Sequence, residues 1–97
     1  MNNQAIAALL EAAKLSPVDP KIYYNLAILY GRDNNDDKAI ALLKQTIDLK
    51  PDYRDAYYAL YVFYNEVKKP ELAKQTLQDY LNKVDPNDKD FLQKLGK

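Results

Sequence analysis

The sequence predicts an all-α fold in which antiparallel helix hairpins stack into a solenoid. The octapeptide YYNLAILY at 23–30 returns thirty-four residues later as YYALYVFY at 57–64, with Tyr, Tyr, Leu and Tyr kept in place. Tyr23, Leu26, Ala27 and Tyr30 recur at i, i+3, i+4 and i+7, the apolar stripe of an amphipathic helix. Prolines and Asp/Asn clusters punctuate the chain at nearly matching intervals. A fixed period of this length marks a repeat architecture, in which each unit buries its apolar face only against its neighbours.

Residues 1–17 form a helical pattern in which Ala5, Leu9, Ala12 and Pro17 stand in the register of Ala39, Leu43, Thr46 and Pro51. This is the second helix of a unit whose first helix is missing. The unit 20–53 opens with Asp19 as N-cap and Pro20 at the first helical position. Its stripe stops at Gly31, and in RDNNDD the residue Asn34 tolerates the left-handed conformation that a turn requires. Asp36 is expected to cap a second helix reaching about Leu49, with Ala39, Leu43, Thr46 and Ile47 facing inward and Pro51 preventing continuation. The unit 54–87 repeats the plan: a helix near 53–66, a turn at VKK, and a helix from Pro70 to about Val84. Residues 88–97 place Phe91 thirty-four positions after Tyr57 and so begin another first helix. This order, half a unit, two whole units and a partial one, leads to the expectation of one domain over 1–97, cut from a longer protein.

Composition narrows the function. The chain has no cysteine and no histidine, which removes thiolate metal sites, disulfides and the commonest general base. Fourteen basic residues balance fourteen acidic ones, so no long-range field draws in nucleic acid or an anionic membrane. No apolar run approaches the roughly 18 residues of a membrane span, and the first fifteen residues lack the pattern of a secretory signal. A soluble chain is expected, and the lack of cysteine suits a cytoplasmic and a periplasmic location equally.

At the residues just named the sequence resembles the tetratricopeptide-repeat family. Tyr23, Leu26, Ala27, Tyr30, Ala39, Leu43 and Pro51 fill the family pattern in the first unit, and Tyr57, Leu60, Tyr64, Ala73 and Leu77 in the second. The resemblance covers nearly the whole chain and implies a right-handed superhelix. Two positions depart from it. Tyr61 stands where the family prefers glycine or alanine, and Tyr80 where it prefers alanine. Two phenols there must either push the helices apart or fill the gap as an aromatic cluster whose hydroxyls need partners. Lys68 stands where a glycine often ends the first helix, so a less regular turn is expected.

The resemblance also implies a function: binding a peptide or helix of a partner protein in a concave groove lined by the first helices, with no catalysis and no cofactor. Carried over position by position, the groove comprises Lys21, Tyr24, Ile28, Arg32, Asp55, Tyr58, Val62 and Glu66, extended by Lys89 and Leu92 if the last helix forms. Tyr24 and Tyr58 are the expected anchors, since tyrosine is a common interface hot spot. Their joint replacement by alanine is expected to weaken binding and leave the melting temperature nearly unchanged. Members that hold a chaperone's C-terminal carboxylate use a lysine and asparagines on successive first helices. Here Tyr24, Ile28 and Ala59 occupy those slots and only Lys89 fits, so such a tail is a poor ligand. Self-association through exposed repeat ends, and service as the soluble accessory domain of a larger enzyme, a membrane-bound one included, are the alternatives.

Other sites fail on chemistry. DNNDDK at 33–38 starts like a calcium loop, yet Lys38 and Lys44 stand where glycine and the twelfth-position glutamate are needed. Asp36-Asp37 and Asp88-Asp90 lie in polar turns where nothing raises a carboxyl pKa for acid catalysis. No glycine-rich phosphate loop exists. Tyrosines interleaved with lysines suit base stacking, but RNA-binding surfaces are basic and this chain is neutral.

Overall fold

The structure, a computed structural model, describes residues 2–96. It is all-helical among the described residues: α1 Asn2–Leu15, α2 Pro20–Arg32, α3 Asp36–Leu49, α4 Arg54–Glu66, α5 Pro70–Lys83 and α6 Lys89–Lys94. Each helix packs on the next in the chain, and α2 also meets α4 across the stack. The result is a slab of 41 × 26 × 16 Å.

Helix starts follow the local chemistry in part. The Asp19 carboxylate accepts from the Lys21 N–H at 3.0 Å, with Pro20 opening α2. The cap of α3 is a correction: Asn35, at φ −96° and ψ 67°, holds the cap position without a side-chain bond. Asp36 and Asp37 instead occupy the first turn, where a carboxylate favours the positive end of the helix dipole.

The two turns inside the hairpins are built alike. In the first, the Asn35 N–H donates to the Tyr30 carbonyl at 2.9 Å and the Asn34 N–H to the Gly31 carbonyl at 3.0 Å. In the second, Lys69 donates to Tyr64 at 2.9 Å and Lys68 to Asn65 at 3.1 Å. Both are Schellman closures, whose C′ residue must take positive φ. Asn34 and Lys68 both sit at φ 63°. The irregular turn expected at Lys68 therefore does not occur; the lysine adopts the left-handed conformation that the hydrogen bonds impose.

The hairpins are sealed in different ways. The first buries Leu26, Ala27, Ala39, Leu43 and Thr46 to 1% exposure or less. Thr46 is tolerated mid-helix because its hydroxyl donates to the Leu42 carbonyl at 2.8 Å. Ile40, absent from the expected inner face, is buried, whereas Ile47 is only half-buried. In the second hairpin Tyr80 fills the space that Thr46 leaves small in the first. Its ring meets Tyr57 edge-on at 5.3 Å and lies tilted against Phe91 at 4.2 Å. Tyr61 extends the group through an edge contact with Tyr58 at 6.0 Å. Of the two outcomes open to these phenols, the aromatic cluster is the one realised.

One bond recurs with the period. The Tyr23 hydroxyl donates to the Pro17 carbonyl at 2.8 Å, and the Tyr57 hydroxyl to the Pro51 carbonyl at 2.9 Å. Each ties the start of a first helix to the turn before it. Phe91, next in the series, has no hydroxyl; there the Asp88 carboxylate caps α6 by accepting from the Phe91 N–H at 3.2 Å. At the opposite end, Ala5 is exposed and Leu9 and Ala12 are half-buried, although Ala39, Leu43 and Thr46 in the same register are fully buried.

Candidate functional site

The first helices α2 and α4 enclose a cleft of about 390 Å³. Tyr24 and Ile28 form one wall, and Tyr58, Val62 and Phe63 the other, with Ala59 between them and Arg54 and Asp55 at one end. Tyr24 and Ile28 also border a second depression of about 430 Å³ toward α1, reached by Leu9, Asn25 and Arg32. The two share Tyr24 and Ile28 and so form one trough. Five of the expected groove residues, Tyr24, Ile28, Asp55, Tyr58 and Val62, thus line a single cleft, and Arg32 lines its extension. Lys21, Glu66 and Lys89 are exposed and line neither depression, while Leu92 packs against the aromatic cluster of the second hairpin.

Tyr24 is met by a ring at the end of its own unit, and Tyr58 by a ring of the next. Tyr24 stacks on Tyr53 with ring centres 5.3 Å apart and planes at 25°. Burial, with the Asp55 carboxylate and Tyr53 close by, pushes the Tyr24 phenol above its ordinary pKa. Tyr53 is pushed the same way by burial and by Asp55 and Asp19. Tyr58 meets Phe91 edge-on at 6.2 Å and carries the Lys94 ammonium 5.3 Å from its ring centre. Both rings are half-buried and both pack on core clusters, so the expectation that they can be removed without loss of stability is revised.

Phe63 and Arg54 were not among the expected groove residues. Phe63 reaches across to α2 and lies so close to Gly31 that a Cβ there would collide with its ring. The pairing of a glycine in one first helix with a large ring in the next was the available signal. Arg54 closes the cleft end through charge. Its Nε donates to Asp88 at 2.6 Å, and its Nη2 donates at 3.1 Å to both Asp88 and Asp90. The guanidinium also lies 5.0 Å from the centre of the Phe91 ring. The bond from Arg54 holds the Asp88 carboxyl below the usual carboxylate range against its own burial, with help from the Phe91 N–H. Asp88 is therefore a structural carboxylate, its side chain only 9% exposed. Tyr80, beneath it, is pushed up mainly by burial and then by the Asp88 charge.

A depression of about 340 Å³ between α3 and α5 differs in character, with Lys44, Asp48, Asp79 and Lys83 giving it mixed charge. Among the described residues no group of carboxylates gathers as a metal site, and no helix is long and apolar enough to cross a membrane.

The family model described as TPR repeat matches residues 2–34, which span α1, the intervening turn and α2. The crystal structure of MamA protein superposes on 95% of this chain and 46% of its own, with a TM-score of 0.76 and 27% identity. The fold is a tetratricopeptide-like solenoid. The human Protein O-mannosyl-transferase TMTC3 is 31% identical over 78 residues, covering 80% of this chain. The chain spans only 8% of that relative's length and less than half of the MamA chain. The trough runs along the surface where α2 and α4 meet.

Proposed function

We infer that this chain is a non-catalytic protein-interaction module that takes a peptide or helix of a partner in the α2–α4 cleft. The observation that carries the reading is the cleft itself: aromatic and aliphatic walls, repeated with the period, in a concavity of about 390 Å³ on a rigid scaffold. Tetratricopeptide repeats serve in general as scaffolds for protein–protein contact, and the walls match the chemistry of interface anchors.

The test separates binding from folding. Val62→Asn is expected to weaken binding of a cleft-selected peptide at least about tenfold, because a polar amide replaces one apolar wall. Val62 is partly exposed, so the melting temperature should fall by only a few degrees. Unchanged affinity, measured by titration calorimetry, would remove the cleft as the binding site.

Self-association is a second reading, favoured by the uncovered face of α1 at Ala5, Leu9 and Ala12 and by exposed Leu10, Leu15 and Val18 nearby. Sedimentation at several concentrations decides it: a mass that stays at one chain removes this reading. Service within a larger protein is supported by the match to a small part of the human transferase, and the sequence surrounding this chain in its gene is the test.

A further inference from the structure

The charges at the cleft are unequally committed. Of its lining residues only Arg54 and Asp55 are charged. The Arg54 guanidinium, at one end of the cleft, is spent on Asp88 and Asp90 and rests over Phe91. Asp55 makes no ion pair and no side-chain hydrogen bond among the described residues; Lys21, one repeat earlier in the same register, does not reach it. A carboxylate without an ion pair thus stands in the first turn of α4, beside the rings of Tyr24 and Tyr58. One wall already carries a cation supplied by the chain, because the Lys94 ammonium lies 5.3 Å from the centre of the Tyr58 ring. That lysine is exposed at the end of the six-residue α6. Burial first, and the Asp55 charge after it, raise the phenol pKa values of Tyr24 and Tyr53.

We propose that the α2–α4 cleft selects a partner segment with a basic side chain, arginine or lysine, set among apolar neighbours. The rings of Tyr24 and Tyr58 form the walls for that cation, and Asp55 is its counter-charge. The apolar neighbours lie along Ile28, Val62 and Phe63. Lys94 acts as an internal stand-in that the partner's cation displaces from Tyr58. The proposal rests on the cleft reading above and adds the sign of the ligand. Cation–π contact plus a charge-assisted hydrogen bond inside a cleft emptied of water by the bound peptide supplies discrimination of about tenfold or more.

The experiment uses the whole 97-residue chain. A random twelve-residue peptide library displayed on phage is panned against it, and the best peptide is titrated by calorimetry with its arginine or lysine intact and replaced by citrulline or norleucine. The same peptides are titrated against Asp55→Asn, Lys94→Gln and Val62→Asn. Peptides bearing a basic residue between apolar ones are expected. The neutral replacement should cost about tenfold on the native chain and almost nothing on Asp55→Asn, while Lys94→Gln should tighten binding two- to fivefold. Recovery of acidic or wholly apolar peptides that still require Val62, or equal affinity for basic and neutral versions, overturns the charge selection and leaves the cleft reading standing. No enrichment, or peptides indifferent to Val62→Asn, overturns both.

Discussion

The two hairpins use the same thirty-four-residue plan and close it with opposite materials. In the first, Ala27 and Thr46 are small and fully buried, and the Thr46 hydroxyl is satisfied within its own helix. In the second, Tyr61 and Tyr80 occupy those positions, and the space is filled by rings that also engage Phe91 of the next helix. The lesson is that a repeat tolerates a large residue at its tightest point if the following repeat supplies a matching ring. The first hairpin shares its core cluster with α4 and α5, whereas the aromatic cluster of the second depends on α6.

The largest expected effect follows from that dependence. Tyr80→Ala should cost about 3–5 kcal/mol and release α6, whereas Thr46→Ala at the same position of the first hairpin should cost about 1 kcal/mol. Chemical denaturation of both variants checks this, and similar costs would erase the contrast. Next comes Gly31→Ala. The new methyl meets the Phe63 ring, so a loss of about 1–3 kcal/mol is expected, against no more than about 0.5 for Asn65→Ala at the exposed equivalent position.

The charge clamp on α6 sharpens the comparison through pH. Because Arg54 holds the folded Asp88 carboxyl low, its contribution is complete above the unfolded value of about 3.9 and is lost as pH falls through the lower folded value. Asp88→Asn keeps a capping side chain but removes the charge. It should cost about 1–3 kcal/mol at neutral pH and little once the native carboxyl is protonated. Unfolding curves between acid and neutral pH would show the two chains converging at the acid end. The smallest effect concerns the matched turns. Lys68→Gly should stabilise by about 0.5–1 kcal/mol, since lysine pays a steric penalty at φ 63° that glycine escapes. Asn34→Gly should change little, because asparagine already tolerates that conformation.

Local patterns and their period made most of the fold legible. Tyr23 to Tyr30 declared a helix by spacing, Asp19-Pro20 declared its start, and Asn34 declared the turn. What escaped was decided by hydrogen bonds or by distant packing. Lys68 misled because residue preference is weaker than the paired carbonyls of Tyr64 and Asn65 that the turn must satisfy. Asp36 misled by one position, the usual uncertainty of a helix end. At the cleft, the alternation of Tyr24 and Tyr58 with core positions identified the lining. Phe63 and Arg54 were hidden because each is placed by a partner on another helix, Gly31 and Asp88. Only the equal spacing of Arg54 and Asp88 hinted at that bond.

The slab measures 16 Å through its thinnest dimension, less than the width of two helices with their side chains. Each helix of such a plate packs mainly on its neighbours in the chain, so cohesion passes between adjacent layers. Melting should begin at α1 and α6 and travel inward, and backbone amides of α3 and α4 should be the last to exchange with deuterium.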